Sequence, residues 1–262
     1  MHDTIKIFIL AVLQGITEFL PVSSSGHLAL ACKILGLESP GASLEIFLHA
    51  GTLLAILIFY RKKIGGLVAG VLKLRRIALI EAGIILLSAV PAGILYVLAG
   101  DKLEAAYDAP RAIGAALCVT GVILIAGRFA AGMNSAKTPV VGPFRSLLIG
   151  MAQAVAMLPG ISRSGTTISA ARMLGVEASA AAEFSFIMSI PVLGGATLLG
   201  AIKAAGGSSS GVPVSGMLFG AAVSAVVGYI SLASLVGLLK RGKFWWFGVY
   251  CFAAGVCAII FF

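Results

Sequence analysis

Charge is the scarcest ingredient of this 262-residue chain. Only 11% of residues are Asp, Glu, Lys or Arg, less than half the roughly 25% of an ordinary soluble domain. With 60% apolar residues and a mean hydropathy of +1.08, that shortage excludes a water-soluble globule. Acidic residues are scarcer than basic ones, 10 against 19, and the basic ones fall in short stretches between long apolar runs. A nucleic-acid binder, which gathers its basic groups on one polar face, is excluded as well. The four cysteines, Cys32, Cys118, Cys251 and Cys257, have neither zinc-site spacing nor the spacing of a disulfide framework, so they read as small buried hydrophobes. No short leader with a cleavage site precedes the first apolar segment, and cleavage there would destroy a motif that begins at Gln14. The N-terminus is therefore expected to be retained.

What is present is a membrane path. A bilayer core of about 30 Å needs roughly 20 apolar residues of helix. Six stretches approach that standard: Leu44 to Tyr60, Ile77 to Ala99, Arg111 to Phe129, Phe184 to Ile202, Val214 to Leu239, and Phe244 to Phe262. Two further regions, Ile5 to Leu35 and Arg145 to Leu174, are broken in the middle by Pro, Gly and hydroxyl residues. Each reads as a re-entrant hairpin of two short helices. Broken backbone is tolerated at membrane depth only where it is buried in protein or lines a wet cavity, so the two breaks mark the site.

An offset of 139 residues pairs Gln14 with Gln153, Ser23 with Ser162, Ser25 with Ser164, Gly26 with Gly165, Leu35 with Leu174 and Gly36 with Gly175. Such an ungapped match predicts a duplicated unit within a single membrane domain, the first copy over about 1–130 and the second over about 145–262. Each copy would hold one hairpin and three spans, and that odd number turns the second copy upside down. The fold class expected is an all-α polytopic membrane protein of six transmembrane helices plus two re-entrant hairpins in an inverted-topology repeat, with the site at the junction of the copies.

Basic loops set orientation. Those with Arg61, Lys62, Lys63, Lys73, Arg75 and Arg76, with Arg128, Lys137 and Arg145, and with Lys240, Arg241 and Lys243 are expected to be cytoplasmic. The loop of Asp101, Glu104 and Asp108, the polar run Gly206 to Gly211 and both termini then lie outside. The first hairpin would enter from outside and the second from the cytoplasm, so that the tips can meet.

The first hairpin reads LQGITEFLPVSSSGH over Leu13 to His27. Gln14 and Glu18 are four apart and share a helix face. Pro21 ends that helix before Ser23, Ser24, Ser25 and Gly26, and His27 opens the next. Free amides at a helix start, flanked by hydroxyls and a glycine, make an anion site. The second hairpin, LPGISRSGTTIS over Leu158 to Ser169, places Arg163 where the first has Ser24. A guanidinium inside a membrane is a functional hypothesis, and its planar fork suits phosphate. Ser162, Ser164, Thr166 and Thr167 supply further hydrogen bonds. Carboxylate, imidazole, guanidinium and hydroxyls converging on one buried point fit phosphoryl transfer on a phosphate ester reached from the bilayer.

These segments, QGITEFLPVSSSGH and PGISRSG, together with the duplicated layout, closely resemble the undecaprenyl-pyrophosphate phosphatase family, the bacitracin-resistance type of membrane phosphatase. The likeness covers essentially the whole chain. It implies hydrolysis of undecaprenyl diphosphate to the monophosphate carrier lipid and inorganic phosphate in bacterial cell-wall synthesis. The implied site opens to the outer face of the inner membrane and depends on a divalent cation, Mg²⁺ or Ca²⁺. The family's acidic motif falls on Gln14 and Glu18, its serine and histidine on Ser24 and His27, its arginine on Arg163. Gln14 removes one carboxylate, leaving Glu18 as the strong acidic ligand. A polyprenyl diphosphate lipid and the membrane are the partners expected, with a homodimer left open and no nucleic acid.

In this reading Arg163 holds the diphosphate, with Ser162, Ser164, Thr167, Ser23, Ser25 and Gly26 assisting. His27 is either the nucleophile or the base that activates Ser24, and Glu18 either positions the metal or orients the imidazole. The blander readings are that Glu18 and His27 satisfy each other, that Gln14 and Gln153 are symmetric structural hydrogen bonders, that His49 serves packing, and that Ser23 and Ser25 cap helices or ease close helix packing. Glu45 and Glu183 stand as candidate counter-ions. The alternative function is a polyprenyl-phosphate flippase or transporter, which uses the same inverted-repeat design. Glu18, Ser24, His27 and Arg163 together favour an enzyme, since a passive site has little need of a nucleophile.

Overall fold

A computed structural model describes residues 2–37, 41–133, 138–205, 212–240 and 244–262. The expected outer run Gly206 to Gly211 and the basic residues Lys137, Arg241 and Lys243 lie outside the described residues. The fold is all-helical. Among the described residues the only β-type pairing is an isolated bridge between Thr138 and Val176. In chain order the helices are α1 (His2–Phe19), α2 (Ser24–Ile34), α3 (Gly41–Phe59), α4 (Arg61–Leu72), α5 (Arg76–Ala105), α6 (Pro110–Met133), α7 (Pro143–Val155), α8 (Arg163–Met173), α9 (Ala178–Ala205), α10 (Val214–Lys240) and α11 (Trp246–Phe261), with a 3₁₀ turn at Ala106–Asp108.

Four helices are long and apolar enough to cross a membrane: α5, α6, α9 and α10. A fifth span results if α3 and α4, which meet at a 79° bend, are taken together. The chain is thus a multi-pass membrane protein, and its outer surface is greasy. Ile77, Val97, Leu98 and Phe261 are all more than three-quarters exposed, a surface that suits lipid and not water.

Two stretches differ from the expected spans. The basic segment after Phe59, read as a loop, is the helix α4, because Arg61 to Leu72 contains no proline and nothing interrupts its backbone ladder. The last segment becomes helical only at Trp246 and has 16 residues, about 24 Å of helix, because Phe244 turns inward to a buried position before the helix begins. The two broken regions do form helix pairs. α1 extends to 18 residues where α7 has 13, since Pro143 sets the start of α7.

Packing relies on small residues, as expected for helices that meet without a hydrophobic driving force. The long seam between α6 and α11 is antiparallel. A Cβ on Gly121 would meet the Gly248 carbonyl at 2.7 Å, and one on Gly255 would meet that of Gly114 at 2.5 Å. One buried cluster gathers around Phe19, Ile149, Ile168, Phe186 and Leu232, a second around Leu10, Leu28, Leu44 and Leu48. The helix-pair tips lie against each other. A Cβ on Gly26 would come within 2.9 Å of the Gly160 Cα, and one on Gly165 within 3.2 Å of the Pro21 Cβ.

Candidate active site

The site is built on two matching turns. Ser23 caps α2 by accepting the Gly26 amide at 3.3 Å, and Ser162 caps α8 by accepting the Gly165 amide at 3.1 Å, each satisfying an orphan donor of its helix start. The backbones differ at these caps. Ser162 is extended, whereas Ser23 has a φ of 70°, a left-handed conformation that costs a residue with a Cβ. Thr120 on α6 ties the second tip down, donating to the Gly160 carbonyl at 2.9 Å and accepting the Ser162 amide at 3.0 Å.

Glu18 is the hub. It is 6% exposed, so its charge must be compensated locally. Its Oε2 accepts Gln14 Nε2 at 3.1 Å and the Ser24 hydroxyl at 2.6 Å, while its Oε1 accepts Nη2 of Arg163 from the other hairpin. The His49 Nε2 stands 3.8 Å from Oε2. Two polar atoms beside this hub are buried and have no partner: the Gln14 Oε1 and the Arg163 Nη1. A buried guanidinium nitrogen left without an acceptor is costly, and it marks where an anion can add.

His27 does not touch Glu18 or Ser24. Its Nδ1 lies 2.8 Å from the Ser23 carbonyl and its Nε2 lies 2.8 Å from the Tyr250 hydroxyl. A carbonyl only accepts, so Nδ1 carries the proton and the phenol donates to Nε2. The Tyr250 ring also lies nearly parallel to the imidazole, at 5.7 Å and 12°. The expectation that His27 activates Ser24, or is oriented by Glu18, thus has no contact behind it; the group that receives the Ser24 hydroxyl is Glu18.

The remaining site residues divide. Ser23 and Ser25 hydroxyls lie 3.3 Å apart, and Ser25 also pairs with Tyr107. Gly26 is at the contact between the tips. Ser164 shares its hydroxyl with Ser162 at 3.4 Å and donates to the Leu20 carbonyl at 3.4 Å. Thr167 lies fully buried and away from the hub, its hydroxyl occupied by the Arg163 carbonyl at 2.8 Å and by Ser185 at 2.6 Å. It fastens α8 to α9.

His49, read as packing, proves to be part of the site, with Nδ1 donating to the Glu45 carbonyl at 2.8 Å and Nε2 toward Glu18. Glu183 is not a counter-ion of Arg163; it lies 3.6 Å from Lys63, which bonds Glu81 at 2.8 Å. Gln153, though equivalent to Gln14, finds no partner for either side-chain atom. Tyr250, Tyr107 and Thr120 escaped the sequence reading. Each sits in an apolar helix or a short turn far along the chain, and no spacing ties it to the serine runs.

Residues 7–257 match the model of the bacitracin resistance protein BacA family. The chain belongs to that family. A protein of Rhodopirellula baltica named undecaprenyl-diphosphatase is 38% identical, the match covering 99% of this chain and 98% of that one. Undecaprenyl-diphosphatases of Desulfatibacillum aliphaticivorans and Halothermothrix orenii are 35% and 32% identical, each match covering 98% of both chains. For the BacA family, then, near-full-length relatives carry the name of an enzyme.

Proposed function

We propose that this chain is an undecaprenyl-diphosphate phosphatase. It hydrolyses undecaprenyl diphosphate to undecaprenyl phosphate and inorganic phosphate, which recycles the carrier lipid for peptidoglycan and cell-wall synthesis and confers bacitracin resistance. The observation that carries the chemical reading is the Glu18 hub, where a serine hydroxyl donates to a buried carboxylate beside a guanidinium with one nitrogen unpartnered.

In this mechanism Arg163 turns its free Nη1 to the diphosphate and shares its fork between substrate and Glu18. Ser24 Oγ attacks the terminal phosphorus as its proton passes to Glu18 Oε2, and the bond to the undecaprenyl phosphate oxygen breaks. Water then attacks the phosphoserine, Glu18 returns the proton to Ser24, and the water's other proton leaves on inorganic phosphate. Arg163 stabilises the charge that develops on the phosphoryl oxygens in both steps. His27, held neutral between Ser23 and Tyr250, orders the serine turn.

A Mg²⁺ or Ca²⁺ ion fits the same place. Hard cations take oxygen ligands, and the buried, unpartnered Gln14 Oε1 lies one turn from the Glu18 carboxylate. Among the described residues there is no cluster of three acidic, His or Cys groups, so Gln14 and Glu18 would hold the ion together with diphosphate oxygens. Bound there, it neutralises substrate charge.

The proposed setting is the bacterial inner membrane. Six crossings and two re-entrant pairs, α1–α2 and α7–α8, form two inverted copies within one domain, with the site open to the outer face and both termini outside. Matching serine caps, and glycines of positive φ after α2 and α8 at Gly36 and Gly175, support the duplication.

The test is phosphate release by the purified protein from a long-chain polyprenyl diphosphate with Mg²⁺ or Ca²⁺, beside Ser24→Ala and Arg163→Ala. Release abolished in Ser24→Ala and lowered by about 10² to 10³ in Arg163→Ala, with both variants purified folded, is expected. A wild type that binds the lipid and releases nothing under any divalent cation would make the flippase reading the better one.

A further inference from the structure

A polar cavity lies at the far end of α8. Arg163 opens that helix at the hub and Arg172 stands in its last turn, about 13 Å further along the axis. There a cleft of about 50 Å³ is lined by Gly127 and Arg128 of α6, Ser169 and Arg172 of α8, and Phe244 and Trp245 ahead of α11. Its volume is several times the roughly 10–15 Å³ that holds one water, which admits a group of phosphate size.

Gly127 lets α6 and α8 approach closely beside the cleft: a Cβ there would meet Ser169 Cβ and Oγ at 2.9 Å. Its two arginines have no acidic partner, since among the described residues Arg163 is the only arginine in an ion pair. Arg128 lies 4.4 Å over the Trp245 ring, a contact that holds the guanidinium in place. Arg172 is half-buried. This end of the bundle is also where basic residues concentrate. α5 and α7 start there, joined by the Ser146 hydroxyl and the Ile84 carbonyl at 2.6 Å, and Thr138 pairs with Val176 just past α8. Topological signalling needs only charge near a span end. Two guanidinium groups on one cleft, one of them held over the Trp245 ring, with the buried Ser169 hydroxyl beside them, suit a phosphate group.

We propose that this cleft is a second anion site, separate from the catalytic hub, that takes a phosphate group: the headgroup phosphate of an anionic phospholipid or free inorganic phosphate.

The chain has two tryptophans, so Trp246→Phe leaves Trp245 as a reporter within the cleft and remote from Glu18. In that background, Trp245 emission is followed during titration with inorganic phosphate in detergent. It is followed separately in nanodiscs that contain brominated phosphatidylglycerol or brominated phosphatidylcholine. A saturable response to phosphate supports the site with a soluble anion as its source; selective quenching by phosphatidylglycerol supports it with a lipid source. Adding Arg128→Gln and Arg172→Gln is expected to weaken either response by about tenfold or more, as charge-assisted hydrogen bonds are lost, while phosphate release from polyprenyl diphosphate continues. If the double variant cannot be purified folded, each single substitution carries the same test with a smaller loss. No response to either probe, or an equal response in the arginine variants, would overturn the proposal.

Discussion

The two hairpin tips share a backbone plan and divide the chemistry between them. α2 and α8 are both 11 residues, both serine-capped onto a glycine amide, and both followed by a glycine of positive φ. At equivalent places, however, the first tip has Glu18, Ser24 and His27 where the second has Met157, Arg163 and Thr166. A symmetric pair of tips would bring like charges together at the contact. The difference puts a carboxylate opposite a guanidinium, each the compensation the other needs in a buried place. The matching backbone supplies the scaffold, and the differences at three positions supply the charges that meet on it.

The most damaging way to break that division is to remove its charges. Arg163→Ala is expected to lower phosphate release by about 10² to 10³, the cost of one preorganised donor, and Arg163→Lys to recover only part because the fork is lost. Paired with Glu18→Gln in a double-mutant cycle on thermal unfolding, the double variant should be more stable than Arg163→Ala alone, which strands a buried carboxylate. Additive losses would mean that the two tips do not depend on each other electrostatically.

Next in size is the contact between the tips. Gly160→Ala places a Cβ 2.5 Å from the Ile113 carbonyl at a φ of 96°, and a loss of about 1–3 kcal/mol in denaturation is expected from overpacking and strain. Gly26→Ala should act in the same direction.

Smaller effects sharpen the comparison. Tyr250→Phe keeps the ring against His27 and removes one hydrogen bond, worth about 0.5–1.5 kcal/mol. A few-fold change in turnover, read from steady-state phosphate release, with the unfolding midpoint lowered by only about 1–5 °C, is the expected result. The smallest change should come from Gln153→Leu. Its side-chain atoms have no partner, so replacement by an apolar group should be neutral or slightly stabilising in a thermal melt. The same substitution at Gln14, which donates to Glu18, should reduce phosphate release. Equal effects at the two glutamines would show that the second copy still uses its position.

Much of this was legible beforehand, for identifiable reasons. The serine caps, the proline and glycine breaks and the i, i+4 pair of Gln14 and Glu18 are local devices, and local devices leave spacing in a sequence. Arg163 stood out because a buried cation in an apolar chain has few bland explanations. His49 was undervalued because the turn of α3 that brings it to Glu18 looks like any other apolar helix. The hydrogen-bond partners of His27, the Ser23 carbonyl and the Tyr250 hydroxyl, were not legible, since i, i+3 spacing from Ser24 says nothing about which way either side chain hydrogen-bonds.

By itself, then, the sequence determined the solvent, the helical class, the two broken regions and the residue types that could act on a phosphate ester. Hydropathy and spacing are properties of the chain alone, and they need no partner to be read. Only the tertiary structure decided that the Ser24 hydroxyl hydrogen-bonds to Glu18, that Tyr250, 223 residues away, holds His27, and that Thr167 fastens α8 to α9. Side-chain hydrogen bonds across distant helices depend on how close the backbones come, and here that is set by glycines such as Gly26 and Gly160, whose missing side chains let two tips far apart in the chain meet.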